Sequence, residues 1–154
     1  MSYRLSRNVE ASIIEYITTA LVSDGWNGIR VEKSFSEVYE GELPCICINS
    51  PDRPVIRREI GTDTIFKDIT VEVRIFAKSD GQRLDLSDWI IEKLISGIVY
   101  YEYTITNNVI SKILKGRIQT IRITDRKELV NTENLEKYDK YRQIISLDCR
   151  VTLL

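Results

Sequence analysis

A chain of 154 residues with 43% hydrophobic and 29% charged side chains is long enough for one domain with a real core, and it lacks the low hydrophobicity of disorder. Its 22 Lys and Arg nearly balance 23 Asp and Glu, a formal net charge of -1, so it has no basic excess of the kind a dedicated nucleic-acid binder carries. It contains no histidine, which removes the usual general base near neutral pH, the usual catalytic triad and most zinc sites.

Residues 1–8 hold arginine and hydroxyl side chains where a leader would have an apolar run, and no stretch approaches the roughly eighteen apolar residues of a membrane span. Neither export nor membrane insertion is expected. Val9, Ile13, Ile17 and Leu21 recur every fourth residue, and Ile14 widens the stripe. This spacing predicts an amphipathic helix over 7–23, capped by Ser6 and stopped by a left-handed Gly25. Asp24-Gly25 and Asn27-Gly28 read as turns. Ile29, Val31 and Phe35 begin an alternating strand that loses its regularity over 34–42, a stretch expected to be a mobile loop or hairpin arm. Pro44 opens a buried strand over 45–49, which Pro51 and Pro54 close. Segments 55–60 and 65–77, separated by Gly61-Thr62-Asp63-Thr64, predict an antiparallel hairpin. Ile69, Val71, Val73, Ile75 and Ala77 share one face of its second segment.

A second helix follows Ser79-Asp80-Gly81, with Leu86, Ile90 and Leu94 as its buried row, Ile91 and Ile95 beside it, Trp89 at the flank and Gly97 as the stop. Residues 98–106 read as a strand with Val99, Tyr101, Tyr103 and Ile105 on one side, followed by a turn at Asn107-Asn108. Residues 109–114 read as a short helical turn, and 117–125 as a strand using Ile121 and Ile123. The polar stretch 126–140, with isolated Leu129, Val130 and Leu135, is expected to be an exposed loop. Ile145, Leu147, Cys149, Val151 and Leu153 then alternate with Ser146, Asp148, Arg150 and Thr152, which requires one buried and one polar face. The order of elements predicts a single α+β domain over 1–154, a mostly antiparallel twisted sheet with two main helices packed on one face. The opposite face, bearing Thr70, Glu72, Arg74, Phe76, Arg122 and Arg150, is expected to be too mixed for a second core and therefore wet or an interface.

Cys45, Cys47 and Cys149 lie on apolar strand-like segments and read as reduced, buried thiols. Cys45 and Cys47 share a face, but no Cys-x-x-Cys and no histidine completes a metal site. The sharpest enzymatic reading takes Pro51-Asp52 with Glu72-Val73-Arg74, which echoes the Pro-Asp and Glu-x-Lys pattern of metal-dependent nucleases. Asp52 and Glu72 would hold Mg²⁺, but the permanently protonated Arg74 is a poor substitute for the lysine. No glycine-rich phosphate loop occurs. Tyr100, Tyr101 and Tyr103 are weighed as a base-stacking platform or a protein interface, and the reading as ordinary strand residues wins. No catalytic, metal-ligating or cofactor-binding residue is assigned, and no cofactor is expected.

With its elements so placed, the chain resembles the tail terminator and neck family of long-tailed bacteriophages, small α+β proteins that cap or complete a tail tube. The resemblance is carried by the helix over 7–23, the strand Leu43-Pro44-Cys45-Ile46-Cys47-Ile48, and the unit Asp68-Ile69-Thr70-Val71-Glu72-Val73-Arg74-Ile75-Phe76 leading into the helix over 80–96. The terminal strand over 141–154 completes it, so that it covers nearly the whole chain. It implies a homo-oligomeric ring, a hexamer, that binds the end of the tail tube, stops its growth and faces the head connector. It further implies a place in the virion tail or neck after assembly in the host cytoplasm. Tail tube protein and head-connector or neck proteins would be partners, with DNA passing through the ring but no sequence-specific nucleic-acid contact and no membrane. Phe35, Tyr39 and Leu135, on the two polar stretches, are the candidate contact residues. The alternatives are the small nuclease using Asp52 and Glu72, or a tail-tube or baseplate component that stacks without limit.

Overall fold

A computed structural model of the chain describes residues 4–51, 55–57, 65–130 and 137–154, with backbone alone for 55–57 and 65–67. In chain order the elements are α1 (Leu5–Ser23), β1 (Arg30–Glu32), α2 (Phe35–Val38), β2 (Cys45–Asn49), β3 (Val55–Arg57), β4 (Ile65–Lys67), β5 (Ile69–Phe76), α3 (Asp80–Ile95), β6 (Ile98–Thr106), β7 (Val109–Lys127) and β8 (Arg142–Leu153). Six strands form one sheet in the order β1-β2-β5-β8-β7-β6, while β3 and β4 form a separate two-stranded ribbon. Only β1 against β2 is parallel in the large sheet; its other pairs are antiparallel. The expected α+β architecture is therefore present.

The helical stripes do what their spacing requires. Val9, Ile13, Ile17 and Leu21 of α1 and Leu86, Ile90 and Leu94 of α3 are buried against Ile46, Ile48, Val71, Val73, Ile75, Ile145 and Leu147 of the sheet. Ile95 runs out of that row and is 66% exposed. Helix α1 starts earlier than expected, because Leu5 also reaches the core. Ser6 thus lies inside the helix, and Arg4 occupies the cap position without a side-chain cap. Ser79 does cap α3, accepting the Gln82 N–H at 3.2 Å, while Gln82 accepts the Lys78 N–H at 2.8 Å. Gly25 and Gly97 take φ of 81° and 85° just past α1 and α3. The helices are also tied together: Asp24, past the end of α1, meets Lys93 at 2.7 Å and accepts the Trp89 indole N–H at 2.8 Å.

The opposite face departs from expectation. Phe76 is fully buried there with Val38, Leu43, Cys45, Cys47 and Tyr138, a small second core. It exists because 34–42 is neither a loop nor a continued strand: Phe35 enters α2, which lays Val38 over β2. Arg30 fastens this segment, donating to the carbonyls of Glu37, Val38 and Glu42 at 3.0–3.2 Å. Gly41 leaves room for that guanidinium, since a Cβ would come within 2.4 Å of Arg30 Cζ. From the polar stretch 126–140, Tyr138 turns inward and donates to the Gly41 carbonyl at 2.8 Å. Charged residues surround this core in pairs: Arg74 meets Glu72 at 2.6 Å, and Arg142 meets Glu128 at 2.9 Å and Asp139 at 3.3 Å.

Three strand expectations change. Residues 109–114 are not helical but open the 19-residue strand β7, joined to β6 by Asn107 and Asn108 at φ of 51° and 63°. In β6 the buried residues are Ile98 and Tyr100, whereas Val99 and Ile105 are 37% and 58% exposed. Apolar and aromatic residues occupy both parities of this strand, so its alternation cannot choose a face by itself. In β7 the register shifts between Thr120 and Arg122, which leaves Ile121 outside and turns Ile123 to the core side that Ile118 already occupies. The expected hairpin of 55–60 with 65–77 survives as β3 against β4, while β5 pairs instead with β2 and β8. Its turn, 61–64, and Pro54 lie outside the described residues.

Candidate assembly surface

Phe35 and Tyr39 sit together over the second core, each 37% exposed. Both rings meet Phe76 edge-on with centroids 6.2 Å apart, and Tyr39 also lies against Tyr138 at 5.1 Å. Arg74 lies 4.9 Å from the Phe35 ring centre, and Arg142 lies 4.7 Å from that of Phe76. The Tyr39 hydroxyl donates to Asp139 at 2.9 Å, and burial first and that carboxylate second raise its pKa above the ordinary value. These side chains are anchored on their own domain and present one edge outward. Leu135 lies outside the described residues.

Of the acidic pair in the nuclease reading, Glu72 is held by Arg74, and Asp52 lies outside the described residues. Among the described residues no three His, Cys, Asp or Glu side chains gather to hold a metal ion. Cys45, Cys47 and Cys149 are free and buried, and burial pushes their thiols up to about 11, 11 and 12. They are packing thiols, protonated near neutral pH and shielded from reagents. No helix among the described residues is long and apolar enough to cross a membrane.

The tyrosines separate by role. Tyr100 is core, whereas Tyr101 and Tyr103 pack on each other with centroids 6.3 Å apart beside α1. There the helix performs a function that the apolar stripe does not announce. Asn8, Ser12 and Glu15 recur at helical spacing and face β6, the last strand of the sheet. The Tyr101 N–H donates to Ser12 Oγ at 3.0 Å and the Tyr103 N–H to Asn8 Oδ1 at 3.3 Å. Glu15 accepts from the Tyr103 hydroxyl and from Lys112. Helix side chains thus satisfy an edge that would otherwise invite another strand. Ser12→Ala should strand the Tyr101 N–H, cost about 1–3 kcal/mol in denaturant unfolding, and speed hydrogen exchange at that amide.

The same seam has a pH signature. Lys112 first, and the Tyr103 hydroxyl second, hold the Glu15 carboxyl below its ordinary pKa. A depressed folded pKa gives stability that is complete above the unfolded value, about 4.3 for Glu, and lost as pH falls through the folded one. Melting curves of wild type and Glu15→Gln should therefore differ at neutral pH and converge in acid. A gap that persists undiminished in acid would remove the ion pair as its cause.

Beyond the seam the β6–β7 hairpin runs on past the end of β8, with Lys112 paired to Glu15 and with Ile105 and Ile110 lining a hollow beside Arg4, Arg7 and Ala11. Strand β8 pairs with β7 only from Gly116 onward and the Leu154 N–H reaches the Lys115 carbonyl, so residues 109–114 have β6 as their sole strand neighbour among the described residues. On this arm Ile105, Val109, Ile110, Ile113 and Leu114 are each more than half exposed. From Thr104 to Ser111 the sequence carries no charge. By register Ile105, Ile110 and Leu114 share one face of the ribbon and Val109 and Ile113 the other, so exposed apolar side chains lie on both faces.

No protein-family model and no curated protein matches the sequence. Among solved structures, a chain from "Virion of native gene transfer agent (GTA) particle" aligns over 99% of this chain and 98% of its own length, at 14% sequence identity and a TM-score of 0.47.

Proposed function

We propose that this chain is a non-enzymatic structural protein of a phage virion, which forms a ring at the end of the tail tube, ends tube growth and joins the tail to the head connector. The observation that carries the reading is the β6–β7 arm, which runs past the end of β8 and leaves five large apolar side chains more than half exposed. Two-stranded ribbons are marginal in water, and such side chains gain stability when another chain covers them. The order of elements, which resembles that of tail terminator and neck proteins, supplies the kind of assembly and its partners. A closed ring needs two different surfaces that meet head to tail; the arm is built on β6 and β7 at one end of the sheet order, and Phe35 and Tyr39 sit at the ends of α2, which packs on β1 and β2 at the other.

Light scattering and electron microscopy of the purified protein, alone and with tail tubes, test the reading. Closed rings, or tubes capped at their ends, are the expected result. Stacks that lengthen with concentration would make it a tube component instead. A monomer in both settings that cleaves DNA with Mg²⁺, and loses that activity in Glu72→Ala, would overturn the proposal.

A further inference from the structure

Two clusters of like charge stand outside the protein's ion pairs. One surrounds a hollow of about 340 Å³ lined by Glu42, Leu43, Lys78, Lys137, Lys140 and Tyr141. Lys137 lies 5.0 Å from the Tyr138 ring centre, and none of the three ammonium groups forms an ion pair among the described residues. A concave site lined mainly by one sign of charge focuses its field on whatever fills it. The exposed face of α3 carries the opposite sign. Asp85, Asp88 and Glu92 are all exposed, fall within a narrow arc at helical spacing, and their carboxylates make neither ion pair nor hydrogen bond among the described residues. Lys93, the one basic residue in the second half of this helix, is engaged with Asp24. Like charges three and four residues apart repel and weaken a helix, a cost that a facing set of cations removes. Leu84 and Ile95, 48% and 66% exposed, flank the row.

We infer that the lysine hollow receives the acidic row of α3 from a second copy of the chain. Charge selects this occupant: three unpaired ammonium groups meet three unpaired carboxylates, and Leu43 and Tyr141 offer apolar ground to the residues that flank the row. The other described carboxylates outside ion pairs form no such row. Glu42 belongs to the hollow, Glu37 and Glu40 stand on the segment that leads to it, Glu102 lies alone on β6, and Asp125 accepts from Gln143. A chain cannot satisfy itself in this way. Lys78 precedes α3, and the helix carries the row onward, with Glu92 about 18 Å beyond Asp80. Asp80 itself is taken by Arg83 at 2.8 Å. Because hollow and row are different surfaces, copies that join them meet head to tail, as a ring requires. The hollow also borders the second core, through Leu43 and through Tyr138 beside Lys137, so the contact continues the Phe35–Tyr39 edge.

The inference rests on the ring reading, and the test separates the two. Zero-length carbodiimide coupling of wild-type protein, assembled alone or on tail tubes from equal parts of isotopically heavy and light chains, should join hollow lysines to Asp85, Asp88 or Glu92 in heavy–light peptide pairs. Reversing the hollow (Lys78→Glu, Lys137→Glu, Lys140→Glu) or the row (Asp85→Lys, Asp88→Lys, Glu92→Lys) should raise the concentration for half-assembly by about tenfold or more, with an unchanged circular dichroism spectrum. Mixing the two reversed proteins should restore assembly, because each then offers the charge that the other's altered surface needs. The milder Asp88→Asn, Glu92→Gln variant should weaken assembly in the same direction and serves if a reversed chain does not fold. Assembly at wild-type strength in both reversed proteins, or heavy–light cross-links that never pair hollow with row, overturns the contact but not the ring. A loss confined to the hollow variant, accompanied by loss of DNA binding, would make the hollow a site for phosphate backbone and also overturns the contact. A wild-type chain that stays monomeric with and without tubes overturns both.

Discussion

Phe76→Ala should lower the free energy of unfolding by about 3–5 kcal/mol, the range for emptying an aromatic site in a packed core. The ring is fully buried on the sheet face opposite α1 and α3. Removing it withdraws the contact under Phe35 and Tyr39 and the cover beside the Arg142 guanidinium. On a wet face the same change would stay within about 0.5 kcal/mol, as surface substitutions do. Urea unfolding followed by tryptophan fluorescence distinguishes the two, and the small value would remove the second core. A loss of α2 order without a fall in midpoint would show instead that the cluster is a local attachment.

Gly116→Ala should cost about 1–3 kcal/mol, the price of forcing atoms into occupied space. A Cβ at this position would lie 2.2 Å from the Thr152 carbonyl oxygen and 3.0 Å from Leu153 Cα, both backbone atoms that no rotamer change can move aside. Gly116 pairs with Tyr100 on one side and Leu153 on the other, at the point where the arm departs from the sheet. Gly81, in the first turn of α3, provides the control. Nothing lies within 4 Å of its would-be Cβ, so Gly81→Ala should stabilise the protein by up to about 1 kcal/mol. The same substitution thus carries opposite signs at two positions, and thermal melts read both. Equal effects at the two sites would mean that the close approach of β7 and β8 is relieved elsewhere.

The parts of the fold legible in the sequence are those where one periodicity meets one solvent. The stripe of α1 and the alternation of β8 after Ile145 are unambiguous because each has a dry side and a wetter side, whereas Arg142, Gln143, Ile144 and Ile145 are all buried. Strand β6 has apolar side chains on both parities, and only its partners decide between them. Residues 109–114 look helical because Val109, Ile110, Ile113 and Leu114 fall at helical spacing, yet on the arm they face no core of their own domain. That misreading also conceals the exposed apolar side chains of the arm. The second core is hidden for another reason: Val38 and Tyr138 come from polar stretches about a hundred residues apart, and no local pattern joins them. Phe35 and Tyr39 stand out as aromatics in polar surroundings, whereas Asn8 and Ser12 pass for an ordinary hydrophilic flank.

The seam between α1 and β6 also bears on how the chain reaches its fold. Ser12 and Asn8 find their partners 89 and 95 residues later in the sequence. During synthesis the helix therefore emerges well before the edge it must cover, and the guard is waiting when the hazard appears. A denatured chain refolding all at once has no such order. It must close a loop of that length against chain entropy while β6 is already exposed to its neighbours in solution. Folding on the ribosome and folding from denaturant should differ most at this seam, with edge-to-edge aggregation as the penalty for losing the sequence of events.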